Sequence, residues 1–190
     1  MNGREERKTV PETAPEPATK GEGPCDIRKA TFTVTDRMEF LGRLKSVADR
    51  TGTRIVCFNA DALAGEEHAR AALAHAFRSF RDGDPIARTF EMEALLYASG
   101  CRQCSGTDRF SIHNGPNRAF VAICPEHPVA AALLGAFMQW ETGDWETISP
   151  EKQAVLRELF SITPEELATV GQDRIRELVL ERVALLDVYR

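Results

Sequence analysis

The sequence predicts one α/β-type domain (mixed α+β), a small mixed sheet of few strands surrounded by many helices, preceded by a disordered arm. Three observations lead there. Only three short runs, at 29–34, 54–58 and 118–124, carry the β-branched or apolar character of strands. The longer stretches between them repeat apolar residues at three and four positions, as amphipathic helices do. The chain is 190 residues long, 43% hydrophobic and 28% charged, which suits one soluble domain with a real core.

Residues 1–24 hold Pro11, Pro15, Pro17 and Pro24 among Glu, Thr, Ala and Gly, a composition that cannot repay the entropy of ordering and reads as a disordered Pro/Glu-rich arm. The domain occupies 25–190. A strand over Lys29–Val34 leads to a helix capped by Thr35 or Asp36 and running to about Arg50, with Met38, Leu41, Leu44, Val47 and Ala48 inward. Thr51-Gly52-Thr53 ends it, Arg54–Phe58 is a second strand, and Asn59-Ala-Asp61 is a turn. A strongly amphipathic helix covers Glu66–Arg81, with Ala69, Ala72, Leu73, Ala76, Phe77 and Phe80 on one side, stopped by Asp82-Gly-Asp-Pro85.

The next helix spans Phe90–Ser99, and 105–112 is ambiguous. His113–Asn117 is a turn and Arg118–Cys124 a third strand. Pro128–Trp140, almost uniformly apolar, reads as a helix that is central or covered by a partner. Ser149-Pro150 and Thr163-Pro164 each start a helix with a hydroxyl cap and proline at the first position. Gln172–Leu186 closes the chain as a helix with Ile175, Leu178, Val179, Val183 and Leu186 inward.

Composition narrows the function. The net charge of −5 excludes a general nucleic-acid coater working by bulk attraction. No apolar run approaches the roughly 20 residues needed to span a bilayer, so no membrane partner is expected. The opening Met1-Asn-Gly-Arg-Glu-Glu-Arg-Lys8 lacks the apolar region of a secretory signal. Five cysteines, an odd number, suit a reducing cytoplasm better than a disulfide framework.

The run 85–104 is the most informative stretch. Met92, Leu95, Leu96 and Ser99 fall at helical spacing, and Gly100 sits where a left-handed residue would end the helix. Arg102 and Gln103 then leave from a fixed stop, a guanidinium fork and an amide suited to gripping a phosphate, a base edge or a carboxylate. The alternative is a capped core helix followed by two solvated polar residues. On the 66–81 helix, Arg70, Ala74, Arg78 and Arg81 form one stripe, with His68 and His75 on a neighbouring one. Between His68 and Arg118 there are seven arginines against five acids, a basic stretch in an acidic protein. Such a stripe can track a phosphate backbone beside a stacking imidazole, or be a solvated helix face.

Cys101-x-x-Cys104 is the only dithiol spacing, and no second pair completes a zinc site. Glu91 and Glu93 point to opposite sides of a helix and make no carboxylate dyad. There is no GxSxG elbow, Walker loop or HExxH, so a non-enzymatic role without a cofactor is expected.

Asn59-Ala-Asp61, His68 with Ala72 and Ala76, Pro85-Ile-Ala87, Met92-Glu93, Leu95, Ala98-Ser99-Gly100 and Arg102-Gln103 together carry a resemblance, with a second stretch from Leu156–Phe160 through Leu180–Leu185. The chain resembles the small tRNA-recruiting, kinase-binding subunit of the KEOPS (EKC) complex, the family called TPRKB in animals. The likeness covers essentially everything after the arm. The chain departs from it at Arg88-Thr89, where the family tends to Asn-Ser, at Cys104, where an apolar residue is usual, and at Ser105-Gly106, which interrupts a helix. The resemblance implies a non-catalytic cytoplasmic subunit that docks on a PRPK-type small kinase/ATPase and captures the single-stranded tRNA 3′ end, supporting threonylcarbamoyladenosine modification.

On that reading Arg102 and Gln103 donate to phosphate or base. His68, Arg70 and Arg78 form a wall, and Asn59 and Asp61 shape the loop opposite. The kinase-facing surface would be an exposed apolar part of 128–140 or of the last helix. Two alternatives stay open: a protein-interaction module regulating a kinase without RNA contact, and a Cys-x-x-Cys zinc or redox module.

Overall fold

The computed structural model describes residues 23–188, so most of the expected arm, residues 1–22, lies outside the described residues. Four strands form one sheet in the order β2-β3-β1-β4: β1 (Asp26–Val34), β2 (Arg54–Asn59), β3 (Gly115–Cys124) and β4 (Gln139–Glu141). Every neighbouring pair is antiparallel. The expected α+β composition stands, with few strands and, among the described residues, seven α-helices, while the sheet expected to be mixed is antiparallel in every pairing.

The helices divide between the two faces of the sheet. On one face α1 (Arg37–Thr51) and α4 (Pro128–Leu134) cover Ile55, Cys57, Ala119 and Val121. The other face carries α2 (Glu66–Asp82), α3 (Phe90–Ser99), α5 (Pro150–Leu159), α6 (Pro164–Val170) and α7 (Ile175–Leu185) around Val56, Phe58, Phe120 and Ala122. A short 3₁₀ helix, Cys104–Phe110, fills the ambiguous stretch after α3.

Local chemistry fixes the helix starts. Asp36 Oδ1 accepts from the Met38 and Glu39 amides (2.8 and 3.0 Å), which places the cap of α1. Phe40, Leu44 and Val47 then face inward, and Met38, expected inside, is 76% exposed. Thr89 caps α3, and Gly100 ends it at φ +61°, where a side chain would be strained and a Cβ would sit 3.3 Å from the Arg182 carbonyl oxygen. Glu93 is buried in α3 and accepts from Ser79 Oγ (2.8 Å) and the Ile86 and Ala87 amides (3.2 and 2.6 Å), so its carboxylate fastens the α2–α3 connection.

Two expectations are corrected. The helix foreseen over Pro128–Trp140 stops at Leu134, and Gln139–Glu141 pairs with Thr31–Lys29 as the fourth strand. The open edge of β1 offers backbone partners that outweigh the apolar helical pattern. Trp140 also finds a place there under the Arg28 guanidinium, 5.4 Å from its ring. The cysteines are not all thiols: Cys25 and Cys124 form a disulfide, with Cα atoms 4.4 Å apart. Register explains the pairing, because Asp26 lies opposite Ile123 and the next facing pair is Cys25 and Cys124. Cys57 and Cys101 are free, and burial pushes the Cys57 thiol up to about 12.

Candidate nucleic-acid interface

The end of β2 opens a polar region at one pole of the molecule. Asp61 N donates to Asn59 Oδ1 (3.1 Å), which folds the turn back on itself. Asn59 Nδ2 donates to the Arg109 carbonyl (2.8 Å), tying the turn to the 3₁₀ helix. From β3, Arg118 reaches Asp61 at 2.9 Å and lies across the Trp145 ring, 4.6 Å from its centre. Lys152 on α5 is half-buried, and Asp61 and Arg118 both act on its charge. Desolvation lowers its pKa most, Asp61 opposes the shift, and Arg118 adds to it.

Two clefts meet at this pole. One, of about 490 Å³, is lined by Thr31, Asn117, Arg118 and Gln139, and the other, of about 410 Å³, by Asn59, Asp108, Arg109 and Leu159. Asp61 and His113 line both. Two guanidinium forks, paired with Asp61 and Glu158, thus border a trough with an amide, an imidazole and the carboxylates of Asp61 and Asp108, over a floor that is partly apolar. Guanidinium forks are groups that hold phosphates by charge, and amides hold base edges by hydrogen bonds.

Arg102 and Gln103 are exposed and lie between the Gly100 stop and the 3₁₀ helix that Asn59 anchors. They are on the surface, where a ligand can reach them. His68 is not part of any wall. It is fully buried, with Nδ1 accepting from the Ala64 amide (3.2 Å) and Nε2 facing the Ala98 carbonyl (2.9 Å). Those partners require the neutral ring with its proton on Nε2, and burial lowers its pKa to about 4. A ring so placed meets Phe160 edge-on, with centroids 5.6 Å apart, and is closed to a base.

Arg70 and Arg78 point elsewhere. Arg70 pairs with Glu66 (2.6 Å) and reaches the Cys25 carbonyl (3.5 Å). Arg78 meets Asp187 (3.2 Å), which also accepts from His75 Nδ1 (2.7 Å) and Tyr97 OH (2.6 Å). At 1.5 Å of rise per residue, Arg78 stands roughly 12 Å further along the helix than Arg70. The structure therefore gathers Asn59 and Asp61, sets Arg102 and Gln103 at the opposite end of the 3₁₀ helix from the Arg109 that Asn59 holds and in the lining of neither cleft, and leaves Arg70 and Arg78 outside.

Sequence reasoning passed over Arg109, His113, Arg118, Trp145 and Lys152. The excess of arginine between His68 and Arg118 contained a signal for two of them. Trp145 and Lys152 gave none, because only the fold carries them to Asp61. Among the described residues no group of three His, Cys, Asp or Glu side chains is placed to hold a metal ion. Cys101 Sγ lies so close to Gly106 that a Cβ there would be 2.8 Å away. No helix among the described residues is long and apolar enough to cross a membrane.

No family model matches the sequence. It is, however, 25% identical over 146 residues to the regulatory protein Cgi121 of Methanocaldococcus jannaschii, an alignment that takes in 77% of this chain and 92% of that protein. The chain is a distant relative of Cgi121. The aligned span is long enough to include most of the folded domain, both faces of the sheet among it. Cgi121 is named as a regulatory protein.

Proposed function

We propose that this protein is the non-catalytic subunit of a KEOPS-type assembly. In that role it binds a PRPK-type small kinase and receives the single-stranded 3′ end of tRNA, so that partner subunits make threonylcarbamoyladenosine. The kinship with Cgi121 supports a regulatory role. The observation that carries the RNA part is the trough at Asp61, bordered by Arg109, Arg118, His113 and Asn59, with Lys152 close by; Arg102 and Gln103, exposed at the other end of the 3₁₀ helix, would extend the path of the strand. The trough suits a few unpaired nucleotides, not a duplex, because its cations surround a short concave patch. His68 has no place in it. Val129 on α4 (57% exposed) and Val188 after α7 (72%) are apolar groups open to the kinase.

The test is tRNA binding with and without the terminal nucleotides across a salt series. Intact tRNA binds more tightly than trimmed tRNA, and affinity falls as salt rises. Arg118→Ala and Arg102→Ala each weaken binding about tenfold, on the scale of ~1–3 kcal/mol for a nucleotide contact, while the fold survives. Equal affinity for trimmed tRNA removes end capture from the proposal.

A second reading has its own support. Arg70, Arg78, Arg109 and Arg118 all meet carboxylates of this chain, as they would in a protein-interaction module that touches no RNA. That reading requires kinase binding with no salt-dependent affinity for tRNA.

A further inference from the structure

The free edge of β2 lies in a cleft, and its backbone is set up to pair. Ala60 N donates to the Arg118 carbonyl (2.8 Å). Antiparallel pairs alternate between bonded and non-bonded, so Phe58 with Phe120 and Val56 with Ala122 turn their amides and carbonyls toward β3. Ile55 and Cys57 then turn theirs away from β3, where the sheet has no further strand. The cleft on that side has a volume of about 320 Å³ and is lined by Ile55, Val56 and Cys57, by Leu41 and Leu44 of α1, and by Leu95 of α3 among others. Residues from both faces of β2 line it, as happens where a strand is approached edge-on.

Charge marks one end. Arg37 starts α1 and lines the same cleft, where Lys45 and Asp49 pair with each other (3.3 Å) and Glu91 stands on the α3 side. One guanidinium nitrogen donates to Ser111 Oγ (2.7 Å), and another lies 3.9 Å from Asp108. Its Nε is buried without a partner, the sole such side-chain atom among the described residues. A buried donor left unmatched costs stability until an acceptor arrives. Leu41, 39% exposed, extends the apolar wall to the surface.

We propose that the β2 edge takes up an extended apolar segment of a partner protein by strand addition, with an acidic side chain of that segment meeting Arg37. Two outward-facing residues on β2, about 6.6 Å apart at the usual rise of a strand, match alternate residues of the incoming chain. Main-chain bonds to Ile55 and Cys57 supply register, and apolar side chains fill the space between α1 and α3. The site lies apart from the trough at Asp61 and does not depend on the tRNA reading.

The experiment uses the full chain. Amide exchange followed by NMR reads the free edge first: Ile55 and Cys57 exchange at least tenfold faster than Val56 and Phe58, and equal protection of all four overturns the proposal. A displayed library of random heptapeptides is then panned against the chain, and the strongest binder is synthesised with N-methyl groups on one or the other set of alternate amides. Methylating one set weakens binding at least tenfold and methylating the other does not. Leu41→Glu abolishes binding, and Arg37→Ala weakens an acid-bearing peptide but not its amide analogue. A library that yields no binder competing at this edge overturns the proposal. So do binding indifferent to both methylations and a self-association of the chain that buries the edge.

Discussion

The two halves of α2 are one continuous helix with opposite uses. Its first half is sealed. The carboxylate of Glu146 accepts from the Glu66 amide (3.1 and 3.3 Å), and two residues on His68 is enclosed with both ring nitrogens occupied. The second half is a surface latch, where Asp187 from beyond α7 draws in His75, Arg78 and Tyr97. His68 and His75 are the same residue type two turns apart, yet one is structural and the other faces a carboxylate. Position on the helix decided neither. What decided was the set of elements that landed on each turn: α3 and the 61–64 turn over His68, α3 with Tyr97 and the Asp187 carboxylate over His75.

The contrast predicts a graded set of responses. His68→Ala would have the largest effect, because it empties core volume and strands the Ala64 amide and Ala98 carbonyl, a loss of ~3–4 kcal/mol, seen as a drop in the urea midpoint at unchanged m. Acid should attack the same half next. The folded pKa of His68, about 4, lies below the ordinary 6.5. The stability linked to its neutral form is therefore complete above pH 6.5 and is lost as pH falls from there towards 4, by ~3 kcal/mol in all. A urea series across that window on wild type and on His68→Gln measures it, and identical slopes would break the distinction between the two halves. In the latch, Asp187→Ala should cost ~1–2 kcal/mol, since three donors lose one acceptor, read from the thermal midpoint. Arg78→Ala, which removes one half-exposed ion pair, should shift stability by less than ~0.5 kcal/mol, and a larger loss would make the latch as structural as His68.

Much of the scaffold was legible because it rests on local rules. Asp36, one of the two caps offered for α1, and Ser149 and Thr163 cap the helices their sequence positions promised, and Gly100 ends α3 in the left-handed conformation expected of it. What failed depended on partners distant in sequence. The β4 strand is three residues long, too short for an alternation to register, and exists because β1 has an edge to cover. The disulfide follows from register, which spacing does not encode. The same limit governs the trough. Asn59 and Asp61 stood out as a turn, but Arg118 reaches Asp61 from β3, with Trp145 from the loop before α5 under its guanidinium, and Lys152 acts on Asp61 from α5. His68 misled for a related reason, because helical spacing assigns a stripe without saying which stripe is covered.

The bond between Cys25 and Cys124 also determines how the molecule carries mechanical load. Tension entering through the chain ahead of Cys25 passes across that link into β3, an interior strand of the sheet, before it can peel β1 from its neighbours. Anything leashed to the leading segment would therefore tug on the middle of the sheet, and the bond, while it lasts, would keep β1 from unzipping.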